Sequence, residues 1–218
     1  MAKNKRNKVL TEADFINETV AEIVSNGFKN FSGARVAGRI GRHSSRINDL
    51  FGGVKGLLKA AITTRDHWKQ LFDKYRIPKR ASEWLTKELF INMMSENLTA
   101  FKQNKEMQSM VLGQMTVYHE ALREVLDYRE AEAAKMLERA TPYFEGSEVC
   151  FDMIMALMLY ASYGLVLHSE AIKGTAARVD INREEDMLKA KRTMSYLIEL
   201  AWEDAGKKRK TAKRIEKL

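Results

Sequence analysis

The chain has little that closes or interrupts a polypeptide: one cysteine and two prolines in 218 residues. A lone Cys150 excludes an intramolecular disulfide and fits a reducing compartment, where a thiol within an apolar run reads as a small buried side chain. With proline confined to Pro78 and Pro142, and strict apolar–polar alternation absent, long helices are uninterrupted and strands are not called for. The N-terminal MAKNKRNKVL lacks the apolar core of a secretory signal, so a cytoplasmic protein is expected. His43, His67, His119 and His168 show no metal-ligand spacing, and Gly52-Gly53-Val54-Lys55 lacks the ending of a phosphate-binding loop. No nucleophile stands beside a recognisable base. Neither a metal, a cofactor nor an enzymatic activity is expected.

What is present is an apolar fraction of 45%, enough for a substantial core, with apolar residues recurring at three and four. The pattern predicts an all-α protein of about nine helices. A basic arm spans residues 1 to 8, and helix 1 runs from about Glu12 to Ser25 with Phe15, Ile16, Val20, Ile23 and Val24 inward. A long fourth helix is expected from about Val54 to Tyr75, a break at Ile77-Pro78, and further helices over 82–103, 105–117, 120–139, 146–172 and 183–204. Thr141-Pro142 and the stretch Gly174 to Asn182 read as loops.

Charge is divided along the chain. Residues 1–80 hold 17 Lys and Arg against 7 Asp and Glu, residues 81–206 hold 13 against 21, and residues 207–218 hold 7 against 1. A basic head on an acidic body suits a module that neutralises phosphates at one end only. The expected organisation is a head at 1–59, a helical body at 60–206 and a basic, solvated tail at 207–218.

Within the head, SGARVAGRIGRHSSRINDLFGGVKGLL (Ser32–Leu58) has the pattern of a helix-turn-helix. Ala37 supplies the small residue where two helices cross, and Gly41, four residues on, supplies the left-handed turn. Val36, Ile40, Ile47 and Leu50 fall where they would seal the core behind it. Ser32 is placed to cap the first helix. The second, from about His43 to Leu50, leaves Arg42, His43, Ser44, Ser45, Arg46, Asn48 and Asp49 outward. Arg and Asn match guanine and adenine edges, while Ser and His serve bases or phosphates. Candidate DNA contacts are therefore Ser32, Arg35, Arg42, His43, Ser44, Ser45, Arg46, Asn48 and Lys55, with Lys3, Lys5 and Arg6 of the arm along a phosphate strand or minor groove.

The run from Thr11 to Ala61, through FINETVAEIVSNGF, VAGRIGRHSSRINDLF and GGVKGLLKAAI, resembles the N-terminal domain of the tetracycline-repressor (TetR) family. It departs from the family pattern at Asn48, where Tyr is common, at Arg42, where an apolar residue is common, and at Val54-Lys55, where Lys opens the next helix. Asn104 to Leu137 looks like the effector-domain segment of TetR-type regulators. The resemblance implies a C-terminal effector-binding domain that dimerises through its last two long helices.

Cys150 to Leu167, CFDMIMALMLYASYGLVL, just reaches membrane-spanning length, but Asp152 and the lack of flanking basic clusters favour a helix that faces its own domain on one side and a second copy on the other. Membrane association is not expected. The twelve methionines suit either a simple core or a pocket for an apolar ligand. If a pocket exists, its expected walls are Phe90, Met94, Phe101, Met110, Gln114, Tyr118, Met158 and Tyr163, with Gln114 and the tyrosine hydroxyls as polar anchors. Together these readings predict a homodimeric regulator of transcription, more a repressor than an activator, that binds a palindromic site on double-stranded DNA and answers to an unknown, partly apolar small-molecule effector. The alternative is a helical interaction or scaffold protein without site-specific DNA binding.

Overall fold

A computed structural model describes the backbone of residues 2–215 and the side chains of residues 12–209. The described residues form ten α-helices and one 3-10 turn: α1 (Ala2–Asn26), the turn Phe28–Asn30, α2 (Gly33–Arg39), α3 (Ser45–Phe51), α4 (Val54–Arg65), α5 (Trp68–Lys74), α6 (Glu83–Gln103), α7 (Lys105–Thr116), α8 (Glu120–Phe144), α9 (Phe151–Ile172) and α10 (Glu184–Ile215). The fold is all-α. An isolated bridge between Ala176 and Val179 is the nearest approach to a strand among the described residues.

Packing divides the chain into two compact units. One holds the chain through Asp66 together with Asn104–Arg129; the other holds His67–Gln103 and the chain from Glu130 onward. This partition follows contacts rather than chain order, so α7 and the first part of α8 join the N-terminal helices that the sequence sets apart at residue 59.

In the first unit, Phe15, Val36, Ala37, Ile47 and Leu57 form one apolar cluster. Val20, Ile23, Phe28, Leu58, Ile62, Met110, Leu122 and Val125 form another. The second cluster explains why α7 belongs here: Gly113 lets it lie against Phe28, and a Cβ on that glycine would sit 2.2 Å from the ring. Met110, three residues earlier, is fully buried in the same contact. A second tie is the ion pair of Arg129 with Asp66, 2.8 Å apart with both side chains under a tenth exposed. Arg129 also donates to Gln114 Oε1 at 3.1 Å. Pairing and hydrogen bonding are what make two buried charges tolerable.

The second unit is built on aromatic packing. Phe144 stacks on Phe151 with centroids 4.6 Å apart, and the Trp202 ring meets both edge-on. Phe90 meets Phe151 at 5.1 Å. Trp68 Nε1 donates to Tyr163 Oη at 2.8 Å, and Tyr163 lies against Phe101.

Several sequence-based boundaries are corrected. The expected fourth helix is two, because Asp66 takes an extended conformation (φ −73°, ψ 113°) with its carboxylate held by Arg129. Helix α1 starts at Ala2, so Lys3, Lys5 and Arg6 stand on helical backbone rather than on an arm. Helix α8 runs through Pro142, which falls in its last turn, where a missing N–H forfeits a single ladder bond. Cys150, expected to be buried, is exposed at the residue preceding α9. Val24 is 45% exposed, whereas the polar Thr19 and Glu22 are buried on α1.

Candidate nucleic-acid interface and apolar cavity

Helices α2 and α3 are joined by a turn that Gly41 makes possible at φ 63°, a conformation costly for residues with a Cβ. Ala37, 1% exposed, lies at the crossing, and Val36 and Ile47 close the core behind it. Ser32 caps α2 as expected, its hydroxyl accepting from Arg35 N–H at 3.3 Å. At the start of α3 the His43 ring does related work: Nδ1 accepts from Ser45 N–H at 3.3 Å and lies 2.9 Å from Ser45 Oγ.

Arg42, His43 and Ser44 of the turn and Ser45, Arg46, Asn48 and Asp49 of α3 are all exposed. Arg46 pairs with Asp49 one turn on, at 3.0 Å. The surface is therefore a turn bearing Arg42, His43 and Ser44 that runs into a short helix bearing Ser45, Arg46 and Asn48, a set able to hydrogen-bond base edges and phosphates.

Two other predicted contacts are drawn elsewhere. Arg35 turns to α1, its Nε donating to Glu22 Oε1 at 2.8 Å and its Nη2 to the Asn30 carbonyl. Arg39 pairs with Glu22 at 2.8 Å and with Glu18 at 3.0 Å. Burial opposes the charge on Glu22, but the Arg35 hydrogen bond and the charges of Arg35 and Arg39 outweigh it and hold the carboxyl below its ordinary value. Lys55 on α4 is paired with Glu120 at 2.9 Å and Glu124 at 2.8 Å on α8, and Lys59 reaches Glu124 at 2.5 Å. Hydrogen bonds from Lys55 and Lys59 pull Glu124 down to about 2, and those same carboxylates raise Lys55. Sequence reasoning missed Glu18, Glu22, Glu120 and Glu124. For Glu18 and Glu22 the signal was an acid within an otherwise basic head; Glu120 and Glu124, in the acidic body, carried none. The side chains of Lys3, Lys5 and Arg6 lie outside the described residues.

The second unit contains a cavity of about 600 Å³ walled by α5, α6, α8 and α9. Trp68, Phe72, Phe90 and Met94 line it from α5 and α6, Met136 from α8 and Tyr160 from α9. Of the eight residues proposed from sequence as pocket walls, the structure brings Phe90 and Met94 to this cavity. Phe101 and Tyr163 are buried against each other beside it, with the Tyr163 hydroxyl already accepting from Trp68. Met158 lines a different groove, with Leu197 and Leu200. Met110 and Gln114 sit in the first unit because α7 packs there, and Tyr118 is 83% exposed. The missed walls had a signal, Trp68 and Phe72 one helical turn apart, hidden by reading that stretch as part of one long helix. No cluster of three potential metal ligands occurs among the described residues. Helix α9 is long and apolar enough to cross a membrane by length and composition, and one third of its most apolar window is buried inside the protein.

No family model and no curated protein matches this sequence. The structure is similar to that of a TetR family transcription regulator from Marinobacter aquaeolei VT8, with a TM-score of 0.57 over 94% of this chain and 98% of that one. Sequence identity is 16%. The two chains share a fold across almost their whole lengths.

Proposed function

We propose that this chain, folded over nearly all its length as a TetR family regulator is, is a DNA-binding regulator of transcription that acts as a ligand-responsive homodimer, most simply a repressor. The observation that carries the reading is the Gly41 turn and the seven-residue α3 that follows it, the turn exposing Arg42 and the helix Arg46 and Asn48 over a buried apolar core. Arg42 and Asn48 make no side-chain hydrogen bond among the described residues, so their donors are available to base edges. Ser44, Ser45 and His43 beside them serve phosphates. Two copies related by a two-fold axis would read an approximate palindrome with half-sites about one helical turn, roughly 34–36 Å, apart.

Support for the dimer comes from α9 and α10, which expose Leu157 (63%), Tyr196 (60%), Leu197 and Leu200 along the second unit. Apolar residues contiguous to that extent are a surface that a second copy would cover. This also accounts for the apolar length of α9 without a membrane, consistent with a cytoplasmic protein. The cavity in the same unit is the proposed effector site, with residues 60–206 serving ligand and dimer and residues 1–59 serving DNA. An effector that fits one arrangement better shifts DNA affinity by its differential binding energy.

The test is binding of Arg42→Ala and Asn48→Ala to a duplex selected by the wild-type protein. Each loses about 1–3 kcal/mol on that site and little on random duplex. Equal losses on both duplexes would reduce α3 to a nonspecific phosphate contact.

A further inference from the structure

We infer that the cavity walled by α5, α6, α8 and α9 is a site for a lipophilic organic cation, a flat or branched apolar body bearing one positive charge. The inference deepens the proposed effector role of this cavity and rests on that reading for its regulatory meaning. The walls alone specify an apolar ligand: Trp68, Phe72 and Phe90 offer aromatic surface, and methionines from α6, α8 and α9 can adjust to its shape. The charge on the walls then narrows the class. Glu130 and Glu138, eight residues apart and so on one face of α8, line the cavity with Asp152 of α9, while no Lys, Arg or His lines it among the described residues.

These three carboxylates have no ion-pair or hydrogen-bond partner among the described residues, whereas Glu132 on the same helix pairs with Lys135. All three are exposed at the cavity edge, where a carboxylate carries no buried-charge penalty. A cation within the cavity would meet aromatic rings and carboxylates, both attractive. An anion of the same shape would meet the reverse. At about 600 Å³ the space matches a ligand of drug-like size.

The experiment titrates the full-length protein by calorimetry with tetraphenylphosphonium and with tetraphenylborate, two ions of nearly the same shape and opposite charge. Phosphonium binds, with an affinity at least about tenfold above that of borate. The combined substitution Glu130→Gln, Glu138→Gln and Asp152→Asn removes most of that preference while leaving helix content unchanged. Ala134→Trp, which fills the cavity from α8, abolishes binding of both ions. Equal binding of the two ions by the wild type, a preference that survives the triple substitution, or phosphonium binding that survives Ala134→Trp each overturns the inference. A parallel gel shift with selected duplex separates the two readings. Phosphonium preference without duplex binding leaves the cation site standing and removes the regulator, whereas duplex binding without phosphonium preference does the opposite.

Discussion

Glu22 shows what a single side chain decides in this protein. On the sequence it is one acid in a basic head and falls on a helix whose inward face is read from its aliphatic residues. In the structure it is fully buried and bound by Arg35 and Arg39, so α1 and α2 are joined by charge as well as by Phe15 and Val36. Arg35 looked like a DNA contact because sequence shows its charge but not its partner. Glu22→Gln leaves two guanidiniums without their counter-charge. Both arginines are nearly half exposed, so the expected loss is about 1–2 kcal/mol near neutral pH rather than the larger penalty of a fully buried pair. Because the folded carboxyl lies below its ordinary value of 4.5, its contribution is full above that value and is lost as pH falls through the folded value. Urea unfolding of wild type and variant should therefore differ most near neutrality and converge as pH falls through the lowered folded value of Glu22. A constant difference down that range would show that the carboxylate charge is not what matters.

At the scale of elements, α6 and α7 were legible nearly to the residue, the start of α2 at its Ser32 cap and α3 to within two residues, because each has a local stop or start: Ser32 and Asn104 as caps, Gly41 as a turn, and the Ser82 hydroxyl accepting from Leu85 N–H at the head of α6. What was not legible depends on partners distant in sequence. The break after α4 is fixed by Arg129, 63 residues away, and the placement of α7 by Phe28. The pocket list failed for the same reason: Met110 and Gln114 have pocket-like chemistry but travel with α7 into the other unit. On the proposed function, the contact of α4 with the start of α8 would bear on affinity for DNA. Lys55 and Lys59, on the helix after α3, are neutralised by Glu120 and Glu124, so phosphates must compete for them. Replacing both acids by Gln should raise affinity for duplex DNA and steepen the dependence of log K on log salt by roughly one to two. Glu124 titrates at about 2, so this effect persists across neutral and mildly acidic pH. An unchanged salt slope would mean that neither lysine approaches phosphate.

For the whole molecule, the proposed function assigns DNA to the basic head and ligand to the acidic body, a division of labour that would need two copies. On that proposal, a single seven-residue α3 would read only a few base pairs, and two related by symmetry would read a palindrome. Leu157→Glu with Leu200→Glu places charge on the exposed face of α9 and α10. Sedimentation should give half the wild-type mass with helix content retained, and affinity for a palindromic duplex should fall on the order of a hundredfold as the second half-site is lost. A variant that stays dimeric would place the interface elsewhere. The central claim, site-specific recognition by a symmetric dimer, is tested most directly by selecting bound duplexes from a random library at near-physiological salt and sequencing them. The account predicts enrichment of an inverted repeat whose half-sites lie about one helical turn apart. Recovery of no common sequence, with binding that disappears as salt rises, would contradict it and leave α3 a basic surface on a helical scaffold.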